Sequence, residues 1–270
     1  MAVNFATIDK LIEEGFLMDS RFNSPAEIAS LVSKSGVTKS MLSLPKMILL
    51  GLMAGAFIAF GGAASDVAMH GVADVGLARV VAGVIFPVGL MLVVFTGSEL
   101  FTGNCLMIIP TLEKKIKVAS MLRNLVVVYI SNFVGAMIID LLITFSGQLN
   151  YSNGGLGAFT IKVALAKTTI NPATAIISGI LCNILVCLAI VMATGATDAI
   201  GKIFGVFFPI CAFVVCGFEH CVANMFYIPT GVMAAMLQKL RSFTVLRHSN
   251  VRILQIFRVV NLCCSLQSAI

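Results

Sequence analysis

Five stretches of this chain, at residues 47–64, 80–98, 125–139, 170–197 and 203–218, contain no Asp, Glu, Lys or Arg. A helix needs about 20 mostly apolar residues to cross the hydrocarbon core of a bilayer, with a range of about 17–25. Extended by their flanks, the five runs predict five spanning helices. Hydrocarbon offers the backbone no partners, so an all-α membrane protein is expected throughout. Only 11% of the 270 residues are charged, against about 25% in soluble domains. A net charge of +6 therefore speaks of membrane topology and not of nucleic-acid binding.

The charges fall on alternate sides. Between the first two runs, residues 65–76 hold Asp66 and Asp74 and no Lys or Arg. The next connection holds Lys114, Lys115, Lys117 and Arg123. Basic loops stay in the cytoplasm, so the N-terminus is expected there too, in a multi-pass protein of the cell membrane. The first twenty residues carry Asp9, Glu13, Glu14 and Asp19 and lack the basic start and apolar core of a secretory signal. Cys182, Cys187, Cys211, Cys216 and Cys221 lie in apolar sequence, where cysteine behaves as a small hydrophobe. A metal site of His220 with Cys216 and Cys221 matches no justified ligand spacing, and no metal or cofactor is expected.

Three segments follow. Residues 1–45 are a cytoplasmic amphipathic segment, with Phe5, Ile8, Leu11, Ile12 and Phe16 at helical spacing and a second short helix opening at Ser24-Pro25-Ala26-Glu27. Residues 46–238 form the transmembrane domain. Residues 239–270 diverge in composition. Small residues in "GLMAGAFIAFGGAAS" predict close helix packing.

Two stretches resemble each other. "GSELFTGN" at 97–104 and "GFEHCVAN" at 217–224 both read G-x-E-x-x-x-x-N, and each precedes a short apolar piece ending near a proline, Pro110 or Pro229. Polar residues and glycine at matching places in two halves signal broken helices in an internal repeat. Three helices per half would invert the second copy. A break frees N–H groups and partial positive charge. Glu99 and Glu219 are expected to cap those donors, with direct proton transfer as the alternative, and Asn104 and Asn224 to satisfy loop backbone. His220 can change charge near neutral pH. An ionisable residue inside a span is a functional candidate, so His220 is read as pore-lining.

At these residues the chain resembles the formate/nitrite transporter family, in "GSELFTGN", in "GFEHCVANMFYIPTG" and in "GILCNILVCLA" at 179–189, over about residues 20–233. The resemblance implies an aquaporin-like fold of three plus three helices in inverted repeats with two broken helices. It implies a homopentamer with one pore per protomer, moving small monovalent anions such as formate, nitrite or hydrosulfide together with a proton. By the same resemblance Thr102, His220 and Asn183 stand at the pore centre. Phe86, Leu90, Leu100 and Phe213 are apolar constrictions, and Lys39 and Lys167 are vestibule lysines. Without it the two lysines would read as interfacial snorkelling.

The expected mechanism follows. Vestibule lysines concentrate anions. The collars penalise a bare ion. A weak acid escapes that penalty by taking a proton, and His220, with hydrogen bonds from Thr102 and Asn183, is expected to stabilise the anion between the collars or to help protonate it. The rivals are a neutral-solute channel and an intramembrane enzyme. The former would carry Asn-Pro-Ala in both halves. The triplet occurs only at 171–173, where it reads as a helix start. Beyond about Gly231 the resemblance fades. Residues 251–270 are the candidate for a sixth helix, yet they carry Arg252 and Arg258.

Overall fold

A computed structural model of the chain describes residues 22–245. The amphipathic helix expected around Phe5–Phe16 and the tail reading at 251–270 lie outside these residues. Among the described residues the structure is helical. Helix α1 (Pro25–Ser40) opens with a reciprocal cap: the Ser24 hydroxyl receives the Glu27 N–H while the Glu27 carboxylate receives the Ser24 N–H. Asn23 ties this end to a distant segment, its N–H and amide donating to the carbonyls of Gly195 and Thr194 at 2.7 and 2.8 Å.

The first half continues with α2 (Leu44–Met69), α3 (Val75–Ile85), α4 (Val88–Thr96), the short pieces α5 (Phe101–Asn104) and α6 (Ile108–Leu112), and α7 (Val118–Ser146). The second half holds α8 (Gly155–Thr168), α9 (Pro172–Gly195), α10 (Ala199–Cys216) and α11 (Cys221–Val245). Six segments among the described residues are long and apolar enough to cross a membrane, α3 and α4 counting as one. Large apolar side chains such as Val126, Ile130 and Leu142 on α7 and Ile177, Ile184 and Leu188 on α9 point outward, as lipid requires.

The expected division into five spans needs correction at its last member. The expected short piece ending near Pro229 is instead α11, 25 residues long, with Pro229 inside it. A proline removes one helical N–H. At the next residue the Thr230 hydroxyl, with its single hydrogen, lies 2.8 Å from the Phe226 carbonyl and within hydrogen-bond reach of the buried Asp140 of α7, so this part of α11 is tied to α7. The first broken segment does have a short second arm, Phe101–Leu112. Helix α8 was not anticipated. Its run 155–168 is interrupted by Lys162 and Lys167, so a search for charge-free stretches passes over it.

Helices α2 and α7 touch backbone to backbone. A methyl placed on Gly55 would stand 2.0 Å from the Asn132 carbonyl oxygen, and one on Gly135 would stand 2.0 Å from that of Leu52. The small-residue pattern of α2 is thus a docking groove for α7. The buried core is built around Ile58, Phe86, Leu90, Val186, Ile210, Phe213 and Phe226, drawn from α2, α4, α9, α10, α11 and the turn before α4.

Candidate functional site

Both breaks are made the same way. Helix α4 ends at Gly97 with φ 67° and ψ 27°, and α10 ends at Gly217 with φ 73° and ψ 28°. This left-handed conformation ends a helix and suits glycine, which has no Cβ. The chain then runs through Ser98-Glu99-Leu100 or Phe218-Glu219-His220 before helix resumes. Each glutamate N–H is held by the preceding long helix, Glu99 by the Leu50 carbonyl at 3.2 Å and Glu219 by the Ser178 hydroxyl at 2.9 Å.

The expected capping by Glu99, Asn104, Glu219 and Asn224 is not what these side chains do. The Glu99 carboxylate receives Lys39 Nζ at 2.6 Å and the Asn104 amide at 2.6 Å, and Lys39 also reaches Asn104 Oδ1 at 2.9 Å. Glu219 receives Lys167 Nζ at 2.9 and 3.1 Å and the Asn224 amide at 2.8 Å. A carboxylate with an ammonium in reach gains more from that charge than from a neutral amide N–H. The backbone is capped by others. Asn132 of α7 accepts the Phe101 N–H at 3.0 Å and donates to the carbonyls of Gly51 and Glu99 at 2.8 and 2.9 Å. His220 Nδ1 accepts the Ala223 N–H at 3.0 Å, closing the first turn of α11.

Lys39 sits in the last turn of α1 and Lys167 in the last turn of α8. Each half therefore contributes a helix whose terminal lysine clamps the broken loop of the same half. These lysines are not bare cations, because each is met by a carboxylate. Lys167 also lies over the Tyr227 ring, 5.3 Å from its centroid. Helix α1 is further anchored by Ser33, whose hydroxyl donates to Glu113. That bond, then the Lys115 ammonium, holds the Glu113 carboxyl below its usual range.

The two loops meet at the centre. Thr102 Oγ1 and His220 Nε2 stand 3.1 Å apart, both residues 4% exposed. A backbone N–H can only donate, so Nδ1 carries no hydrogen and the neutral ring bears its proton on Nε2, toward Thr102. Phe213 stacks on the imidazole with centroids 5.6 Å apart, and Phe86 packs edge-on against Phe213 at 5.7 Å. Leu90 and Leu100 are buried in the same core cluster. Asn183, on α9, has a buried Oδ1 without a hydrogen-bond partner, and its amide faces Cys105.

A cavity of about 660 Å³ has Phe86, Phe213 and His220 in its wall, together with Lys167, Glu219, Tyr227, Arg79 and Asp66. A much smaller one of about 40 Å³ lies beside Lys39 and Gly103. The Thr102–His220 contact thus joins the wall of the large cavity to the residue next to Gly103. The single Asn-Pro-Ala triplet is a helix cap, the Asn171 side chain accepting the Ala173 N–H at 3.0 Å. Asn124, Asn132, Ser178 and Tyr227 were missed as site residues. Each is uncharged at neutral pH, and each sits in a run that looks apolar when only charges are tracked.

The chain has relatives among known proteins. Residues 26–262 match the family model described as "Formate/nitrite transporter". The chain is 42% identical over 233 residues to a probable formate transporter of Methanothermobacter thermautotrophicus, covering 80% of this chain and 85% of that one. It is 40% identical over 219 residues to the formate channel BtFdhC of Bacillus thuringiensis, covering 80% and 84%. Among solved structures, a pentameric formate channel with formate bound superposes with a TM-score of 0.64 at 32% identity, covering 70% of this chain and 75% of that one. This multi-pass membrane protein, with its two glycine-ended helix breaks meeting at Thr102 and His220, belongs to the formate/nitrite transporter family.

Proposed function

We propose that this chain forms a channel for small monovalent anions of weak acids, formate first and nitrite or hydrosulfide after it, with passage coupled to a proton at His220. The observation that carries this reading is the Thr102–His220 contact between the two breaks, walled by Phe86 and Phe213. The polar pair supplies donors in an otherwise apolar place. With Nε2–H directed to Thr102 Oγ1, the threonine hydroxyl hydrogen is free to face a solute. A bare anion between apolar collars is expensive, while its neutral conjugate acid is not. Lys39 and Lys167 hold the loops in register, and Arg79 and Lys162 add positive charge to the wall of the large cavity.

The paired clamps, Lys39–Glu99–Asn104 and Lys167–Glu219–Asn224, support two repeats, which we take as inverted in the manner of an aquaporin. Likeness to a pentameric channel supports a homopentamer with one pore per protomer. The basic groups Lys114, Lys115 and Lys117 between α6 and α7 support a cytoplasmic N-terminus by the rule that basic loops stay inside.

Flux of formate into liposomes holding the purified protein tests the reading, and absence of flux above empty liposomes would end it. Two substitutions sharpen the test. His220→Asn keeps a side-chain acceptor at the start of α11 but cannot change charge. Phenylalanine would lose the cap, a loss of about 0.5–2 kcal/mol. The asparagine variant is expected to fold and to show a flattened pH profile with flux reduced about tenfold, one lost hydrogen bond to a charged group amounting to about 1.5–3 kcal/mol. Thr102→Val should reduce flux by a similar factor, and Thr96→Val by less than about twofold, because the exposed Thr96 hydroxyl only bonds back to the Leu92 carbonyl and to Ser98. Equal losses at both threonines would remove the specific role of Thr102.

A further inference from the structure

The large cavity contains an acidic side chain that the path just described does not use. Asp66, in the last turn of α2, is 4% exposed and reaches the cavity wall. Its Oδ2 is buried without a hydrogen-bond partner, and among the described residues no lysine or arginine forms an ion pair with it. Its neighbour Ser65 is bonded to the Tyr227 hydroxyl at 3.1 Å, so the end of α2 and α11 meet here beside Lys167.

An unpartnered acceptor is an odd fitting for an anion path. Formate and nitrite offer only acceptors, so an ionised Asp66 would repel them, and only its protonated form, with an O–H to donate, can meet them as anions. The other groups nearby are already committed. Both Glu219 oxygens are held by Lys167. His220 faces Thr102 and the Ala223 N–H. Just past α2, His70 is engaged by the Val67 carbonyl and the Ser152 hydroxyl. Helix α3 contributes Arg79 to the cavity and α8 contributes Lys162 and Lys167. Helix α4 has no titratable group, and Arg123, Tyr129 and Asp140 of α7 do not line this cavity. Asp66 is thus a carboxyl with a free oxygen, on the wall shared with Phe86 and Phe213.

We propose that Asp66 exchanges protons with the permeating anion in the large cavity, joining proton and anion before the solute enters the Phe86–Phe213 collar. This rests on the channel reading above. In the step, the Asp66 O–H bond breaks and an O–H bond forms on the solute oxygen. The solute becomes the neutral acid and Asp66 a carboxylate, with Arg79 and Lys167 in the same wall to offset its charge. Water in the cavity returns the proton. For passage in the other direction the same step runs in reverse.

The test uses the full-length protein in liposomes loaded with a pH-sensitive dye and challenged with formate. Asp66→Asn keeps shape and polarity but cannot exchange a proton. Its flux is expected to fall about tenfold or more near pH 7, in line with a positioned acid–base group. It should approach wild type as the outside is brought to about pH 5, where more of the formate arrives already as the neutral acid. Asp66→Glu should retain the wild-type pH profile. If Asp66→Asn does not elute as folded protein, Asp66→Ser takes its place with the same expectation. A wild-type pH profile in the neutral variant, or an equal fractional loss at every pH as a merely structural role would give, overturns the proposal. Wild-type protein that passes no formate overturns the channel reading and this one with it.

Discussion

Replacing Asn132 with leucine is expected to leave little folded protein. The Asn132 side chain is fully buried and serves three backbone groups: the Phe101 N–H and the carbonyls of Gly51 and Glu99. Leucine has nearly the same size but serves none of them. Each buried backbone group left unpaired costs about 1–3 kcal/mol, and hydrocarbon surroundings offer no water to substitute. Three such losses come to several kcal/mol, against a typical total stability of about 5–15 kcal/mol. The damage falls where α2, α7 and the first break join, so the Thr102 loop loses its support as well. Asn132→Asp should be destabilised as well: it still accepts the Phe101 N–H, but it sets an acceptor oxygen in place of the donor that serves the Gly51 and Glu99 carbonyls. Phe133→Leu, one residue on and facing outward, should change little. Thermal unfolding in detergent with size-exclusion elution reads all three. An Asn132→Leu protein that melts and elutes like wild type would show that the break is held by something else.

That Asn132 escaped notice in the sequence shows which information was legible. Charge-free runs marked the spans α2, α4, α7, α9 and α10, since excluding ions from hydrocarbon dominates the energetics of a membrane chain. The repeated G-x-E-x-x-x-x-N marked both breaks, because a left-handed helix end favours glycine and a buried carboxylate needs a partner. The identity of that partner could not be read. Lys39 and Glu99 are 60 residues apart in the chain, Lys167 and Glu219 are 52, and only folding brings them within hydrogen-bond reach. Local reasoning therefore assigned the glutamates to the nearest unpaired donors, the backbone N–H groups. The length of α11 was misjudged for a related reason. Pro229 looks like a terminator by local rules, and the packing of α11 on α7, where the Thr230 hydroxyl meets Asp140, is a tertiary feature.

The second large effect is expected from splitting the Lys167–Glu219 pair. Their side chains are only 18% and 10% exposed. Glu219→Gln leaves an ammonium facing an amide in a poorly hydrated place, and Lys167→Met leaves a carboxylate with the Asn224 amide as its chief remaining donor. Removing one partner of a buried pair typically costs about 3–5 kcal/mol, because the other charge stays behind unpaired. Partial exposure puts these variants at the lower end, about 3 kcal/mol each. The double variant Lys167→Met with Glu219→Gln leaves no stray charge and should recover much of the loss, a coupling of about 1–3 kcal/mol between contacting residues. Flux should behave differently. The double variant still lacks the clamp from α8 to the loop carrying His220, so it is expected to be stable yet slow. A clamp acts on chemistry through geometry, and a small misplacement of the Thr102–His220 pair is enough to slow passage. Unfolding temperatures and formate flux on the same four proteins separate the two roles. Additive losses of stability would mean that the pair is not coupled. Full flux in the stable double variant would mean that the His220 loop holds its place without Lys167.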